Sequence, residues 1–149
     1  MNPETQLETT IESTPDDNVK QAVPFFMVTN LEASLLYYVD GIGFRMTNRW
    51  INEGKLCWCW LQLGGAALML QEYRQEGVPA GKLGEGVAVC FQCEDALKIY
   101  REVTSRGIQA RQRPFVGNAM WVTPFTDPDG YKIDFESPTD APEESEFKE

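Results

Sequence analysis

The apolar positions of this chain come in short runs whose period switches from that of a strand to that of a helix and back, and the switches mark out the elements. Val23–Val28 is rich in β-forming residues and predicts a strand. Asn30 then offers an N-cap to Leu31-Glu32-Ala33-Ser34-Leu35-Leu36-Tyr37-Tyr38, whose apolar side chains form a helical stripe. A helix is therefore predicted over about residues 31–40, stopped by Gly41 and Gly43. Three strands are predicted at Phe44–Ile51, Leu56–Leu63 and Ala66–Tyr73, joined by Asn52-Glu53-Gly54 and Gly64-Gly65, both of hairpin length. Residues 74–85 contain Gly and Pro and predict a loop. The order then restarts with a strand at Val87–Gln92, a helix from about Glu94 to Arg106 ended by Gly107, and strands at Gln109–Arg113, Ala119–Phe125 and Tyr131–Glu136.

The restart behaves as an internal repeat. A shift of 64 residues (23 to 87) carries Met27 onto Phe91, Asn30 onto Glu94, Val39 onto Val103, Gly43 onto Gly107 and Phe44 onto Ile108. The same shift lays Gly64-Gly65-Ala66 on Pro128-Asp129-Gly130 and Leu70 on Asp134. A chance alignment would have to reproduce both the helix-ending glycine and the last hairpin turn. The pattern thus predicts an α+β domain over residues 21–138 built from two tandem βαβββ repeats, 21–75 and 85–138. Residues 1–20 and 139–149 lack apolar periodicity and are biased to Pro, Glu, Asp and Ser, so both are expected to be mobile acidic tails.

Composition narrows the chemistry. The length of 149 residues suits one domain, and 42% hydrophobic against 24% charged residues is a soluble globular balance. No apolar run approaches the roughly 18 residues that a bilayer span needs, and the acidic, polar start predicts no secretory signal, so a cytoplasmic protein is expected. The net charge of −10 repels polyphosphate and argues against nucleic acid as a partner. Most of that charge sits in the two tails, leaving the folded body nearly neutral. Histidine is absent, which removes the commonest metal ligand and the commonest general base at neutral pH. Cys57, Cys59, Cys90 and Cys93 could in principle supply a CxC plus CxxC zinc site. Both pairs fall within strand-like runs, however, where Cys90 and Cys93 point to opposite faces, so reduced, largely buried thiols are expected instead.

The helix motif LEASLLYYVDGIGF after a short strand, the turn-and-strand DPDGYKIDFESP, and the paired βαβββ order together resemble the vicinal oxygen chelate superfamily, the glyoxalase, bleomycin-resistance and extradiol dioxygenase group. The resemblance covers about residues 22–138. It implies a U-shaped mixed sheet, half from each repeat, usually closed across a homodimer, with the site in a concave channel. In the metal-dependent members it implies ligands on the first and last strand of each half, at positions matching Val23, Leu70, Val87 or Ala88, and Asp134 here. Three of these are apolar, so no metal and no other cofactor is expected. An improvised site from Glu72, Asp134 and Glu136 is a weaker possibility than solvent exposure or pairing of those acids with Lys132 or an arginine. Asp134 could serve as a general base, since an apolar trough would raise its pKa, but an Asp balanced by a neighbouring Lys or Arg is the favoured reading, so no catalytic residue is assigned.

The metal-free branch of the same superfamily, resembling bleomycin-binding proteins, uses the channel to hold flat or heteroaromatic ligands. Phe25, Met27, Trp58, Trp60, Leu70, Trp121 and Asp134 are the candidate ligand-binding residues on this reading. The competing assignment for each ring is core or dimer interface. Bleomycin-binding members tend to carry Glu in the strand before DPDG, where Val122 or Thr123 stands here. A metal-free protein binding a hydrophobic or aromatic small molecule, with antibiotic sequestration as one such role, is therefore the leading expectation. A divalent-metal-dependent lyase, isomerase or dioxygenase is the alternative, and a silent dimeric scaffold the third.

Overall fold

A computed structural model describes residues 18–149. Of the expected N-terminal tail, residues 1–17 lie outside the described residues. The element order is β1 (Phe25–Val28), α1 (Leu31–Leu35) running into a π-helical turn (Leu36–Ile42), β2 (Arg45–Asn52), β3 (Lys55–Leu63), β4 (Ala66–Glu72), β5 (Ala88–Gln92), α2 (Ala96–Ser105), β6 (Phe115–Gly117), β7 (Met120–Thr126) and β8 (Lys132–Pro138). They form two mixed sheets of identical topology, β1-β4-β3-β2 and β5-β8-β7-β6, in which β1–β4 and β5–β8 are parallel and the other pairs antiparallel. The α+β class and the tandem βαβββ order follow the sequence pattern.

Local chemistry starts and stops the helices. Asn30 and Asp95 cap α1 and α2, their side chains accepting the amides of Ala33 and Lys98 at 3.0 Å each. Gly43 (φ 111°) and Gly107 (φ 92°) turn the chain out of each helix in the left-handed region. The caps are 65 residues apart (30 to 95), whereas the terminating glycines are 64 apart. The π turn of the first helix holds the one extra residue. The cap equivalent to Asn30 is therefore Asp95 and not Glu94.

A second one-residue difference lies in the last hairpin. Leu63 pairs with Ala66 across Gly64-Gly65, while Thr126 pairs with Lys132 across a longer turn. The residue equivalent to Leu70 is therefore Phe135, and the expected match of Leu70 to Asp134 is corrected. A shift of one residue on a strand reverses the face. Leu70 is fully buried against Phe26 and Cys59 in the core, and Asp134 points to the other side of its own sheet.

One hydrophobic core joins the helix-facing sides of both sheets through Phe26, Val28, Tyr38, Phe44, Leu61, Leu70, Phe91, Phe125, Ile133 and Phe135. The DPDG turn ties the repeats together. Asp127 accepts the Tyr38 hydroxyl at 2.7 Å and the amides of Asp129 and Tyr131 at 2.9 and 2.8 Å, while Asp129 accepts the amide and hydroxyl of Thr29. Tyr131 stacks on Phe26 with centroids 4.2 Å apart and donates its hydroxyl to the Met27 carbonyl at 2.7 Å.

Two expected elements differ. Residues 109–113 do not form a strand; Arg111 donates its amide to the Pro124 carbonyl, and pairing with β7 begins only at Phe115. The segment lacks β-branched residues, and Pro114 has no amide to offer. Residues 139–149, expected to be a mobile tail, instead lie along β6, with Phe147 packed against Tyr100 and Trp121.

Candidate functional site

The register of the first sheet brings eight side chains onto the face that points away from the helices. Two rows cross all four strands: Phe25–Met69–Trp60–Asn48 and Met27–Gln71–Trp58–Trp50. With strands about 4.8 Å apart, each row spans about 14 Å. Phe25 and Trp50 are 48% and 53% exposed, and Met27, Trp58, Trp60, Met69 and Gln71 are half-buried. This side of the sheet is thus a largely aromatic and thioether surface. The Trp60 indole is held in place: its N–H donates to Gln62 Oε1 at 2.9 Å, and Gln62 in turn donates to the Gly64 carbonyl at 2.9 Å. The polar edge of the ring is satisfied internally, so the rest of it is left as apolar surface.

Four of the expected residues, Phe25, Met27, Trp58 and Trp60, thus share one face. Leu70 lies on the opposite side of the same sheet, within the core. Trp121 lies in the second sheet on the side of α2, level with Ser137, whose hydroxyl accepts the Ala96 amide at 2.9 Å, and packs against Phe147. Asp134 is on the helix-distant face of the second sheet, 8% exposed, and its carboxylate meets Arg111 Nη2 at 2.9 Å. Arg111 also donates to the Phe125 carbonyl at 2.7 Å, so this arginine is fixed from two sides.

Trp50, Met69, Asn48 and Gln71 complete the face and were not among the residues singled out from sequence. A regular two-residue hairpin would set Trp50 opposite Cys57. A bulge between Trp50 and Ile51 sets it opposite Trp58.

The three carboxylates considered for a metal are each engaged by other groups. Glu72 faces the helices, accepts the Leu31 amide at 3.2 Å and pairs with Lys55 at 2.6 Å; the Lys55 hydrogen bond holds its carboxyl below the ordinary range. Asp134 is neutralised by Arg111, and Glu136 accepts from Gln92 at 2.9 Å. At the positions matched to the superfamily's ligands, Val23, Leu70 and Val87 or Ala88 are apolar and Asp134 is paired with Arg111, which does not fit a divalent cation that needs several converging donors. Among the described residues, no group of three Cys, Asp or Glu side chains is placed to hold one. The four cysteines are free thiols. Burial pushes the Cys59 thiol up to about 11; burial, and then the hydrogen bond and charge of Glu136, do the same to Cys90.

A separate groove of about 800 Å³ lies on the helix side, between α1 and the β2–β3 hairpin, lined by Leu35, Leu36, Val39, Met46 and Leu56. It is distinct from the aromatic face, which is an open sheet surface and not an enclosed cavity.

Comparison with known proteins agrees with this architecture. A sequence model of the Glyoxalase/Bleomycin resistance protein/Dioxygenase superfamily matches residues 8–135, and the chain belongs to that superfamily. Similar solved structures include TnmS3, an antibiotic binding protein from Streptomyces sp. CB03234, at TM-score 0.64 and 19% identity, covering 82% of this chain and 98% of that one. TioX from Micromonospora sp. ML1 is similar at TM-score 0.65 and 17% identity, covering 80% and 99%. A bleomycin-binding protein complexed with bleomycin is similar at TM-score 0.62 and 20% identity, covering 80% and 98%. At these identities the likeness is one of fold. No curated relative matches the chain in sequence. No helix among the described residues is long and apolar enough to cross a membrane.

Proposed function

We propose that this chain binds a planar aromatic or apolar small molecule on the Trp58–Trp60 face, without a metal, and that it sequesters the ligand without transforming it. The observation that carries the reading is the pair of four-residue rows, six of whose eight members are aromatic or thioether side chains facing away from the core. Stacking and area burial are what such a face offers, each ring contact adding about 0.5–1.5 kcal/mol beyond the area term. The reading is consistent with the antibiotic-binding and bleomycin-binding proteins that share the fold, and an antibiotic is the natural ligand class to try.

The same reading includes a homodimer in the cytoplasm. β2 is an edge strand of the first sheet, which a partner copy would cover, and free thiols suit a reducing compartment. Light scattering should then give about twice the 16.9 kDa chain mass.

Isothermal titration with a panel of planar aromatic antibiotics, bleomycin among them, and with divalent metal salts tests the proposal. For a ligand that binds, Trp58→Ala and Trp60→Ala should each weaken affinity about 2- to 13-fold or more, the equivalent of one lost ring contact. Trp121→Ala, on the far side of the other sheet, should leave affinity unchanged. Equal binding by wild type, Trp58→Ala and Trp60→Ala would overturn the assignment of the face, and tight stoichiometric binding of a divalent metal would overturn its metal independence.

A further inference from the structure

The segment after β8 pairs with an edge strand by its backbone and carries its own side-chain anchors. The Val116 amide donates to the Ser145 carbonyl at 2.8 Å, the Glu144 amide to the Val116 carbonyl at 2.9 Å, and the Phe147 amide to the Pro114 carbonyl at 2.8 Å, with Phe115 opposite Glu146. The outer edge of β6, otherwise a row of unpaired donors and acceptors, is filled by this strap.

Two further contacts give the surface chemical selectivity. Asn118 and Ala119, both at positive φ in the β6–β7 turn, aim their amides at one carboxylate, that of Glu143, at 2.7 and 3.0 Å. Successive amides arranged in this way form an anion-binding concavity. Four residues on, the Phe147 ring enters a slot between Tyr100 and Trp121, with centroids 5.9 and 6.3 Å away, and the Arg101 guanidinium stands 5.2 Å from its centroid. Arg113 lines the same groove as Glu143, Glu144 and Glu146. Backbone edge, amide pair, aromatic slot and flanking arginines thus read one pattern: an extended acidic segment with an aromatic residue four positions after a carboxylate.

The strap is attached through Pro138-Thr139-Asp140-Ala141-Pro142, and its acidic side chains Glu143, Glu144 and Glu146 are exposed. Segments with few buried contacts open locally without unfolding the domain. We propose that the β6 edge, with the Asn118–Ala119 amides and the Tyr100–Trp121 slot, is an acceptor for an extended acidic peptide of another protein bearing this carboxylate-to-aromatic spacing, and that the strap closes it in cis. This surface is separate from the Trp58–Trp60 face and stands or falls independently of the function proposed for it.

The experiment uses the full chain and two variants that loosen the strap, Phe147→Ala, which empties the slot, and Glu144→Pro, which removes an edge hydrogen bond. The probe is a fluorescein-labelled peptide, Ala-Pro-Glu-Glu-Ser-Glu-Phe-Lys-Glu, identical to residues 141–149. Both variants should bind it, and the wild-type chain about tenfold more weakly or worse, because apparent affinity falls with the open fraction. The same peptide with Ala in place of Phe should lose binding. Variants that bind no better than wild type, or equal binding of the Ala peptide, would overturn the proposal. Hydrogen exchange on the wild-type chain gives an independent reading: the Glu144 and Phe147 amides should exchange much faster than those between β7 and β8, and exchange only by global unfolding would overturn it as well.

Discussion

Removing a single hydroxyl, by Tyr38→Phe, separates the contribution of the clasp between the repeats from that of the core around it. Tyr38 is fully buried and its hydroxyl donates to Asp127 at 2.7 Å; Asp127 itself is 4% exposed. The ring stays in the variant, so no cavity opens, and Asp127 keeps the Asp129 and Tyr131 amides. What is lost is one hydrogen bond to a charged group, about 1.5–3 kcal/mol, which for a domain of this size lowers Tm by about 3–12 °C. The cost should also depend on pH. Burial raises the Asp127 carboxyl above its ordinary range, and the Tyr38 hydrogen bond is the first of the contacts that oppose it. Without that bond the folded-state pKa climbs further, while the unfolded-state value is unchanged. A folded pKa above the unfolded one means that the folded chain holds the proton more tightly, so its stability contribution is full below the unfolded pKa and declines as pH rises through the folded pKa. The variant suffers this decline more than the wild type. The gap between the two should therefore be widest near neutral pH and should narrow as pH falls to about 3, below the ordinary aspartate pKa of about 3.9, where the carboxyl is protonated and the lost bond is an ordinary neutral one of about 1 kcal/mol. Urea unfolding of both proteins at the two pH values reads this directly. A gap that is the same at both, or a Tm within about 1 °C of wild type, would refute the account of the clasp.

Two further outcomes follow from the geometry. At Gly84, a Cβ would sit 2.9 Å from the Gly130 carbonyl and the Tyr131 Cα at a positive φ of 74°, so Gly84→Ala should destabilise by about 2–4 kcal/mol; Gly86→Ala, at a similar φ but in open space, should cost only about 1–2 kcal/mol, and chemical denaturation compares them. Cys90 is exposed, yet its thiol is pushed up to about 11 by burial of the sulfur and by Glu136, so thiolate forms only as pH rises toward that value. Alkylation of Cys90 by iodoacetamide, followed by mass spectrometry, should be slow at neutral pH and accelerate strongly above about pH 10; fast labelling at pH 7 would contradict this.

Much of the fold is legible along the chain because its signals are local. The caps Asn30 and Asp95, the terminating glycines and the hairpin turns each act within a few residues, so element order and the tandem repeat can be read without knowing what packs on what. The alternation that puts Trp58 with Trp60 and Phe25 with Met27 is also local, since side chains two apart on a strand share a face. Which face that is, and what joins it, is not local. It depends on cross-strand register, which shifts by one residue at the longer DPDG hairpin and at two points of β2, between Met46 and Asn48 and between Trp50 and Ile51, while the π turn adds one residue to the first helix. Each register shift moves the side chains beyond it to the other face until a second shift compensates, as it does in β2 on either side of Asn48–Trp50. That is why Leu70 went to the core while Asp134 went to the opposite side of its sheet, and why Trp50 joined the aromatic rows. The ion pair of Arg111 with Asp134 and the docking of Phe147 between Tyr100 and Trp121 belong to the same category. Both depend on segments with no periodicity of their own, which take their conformation from the surface they meet.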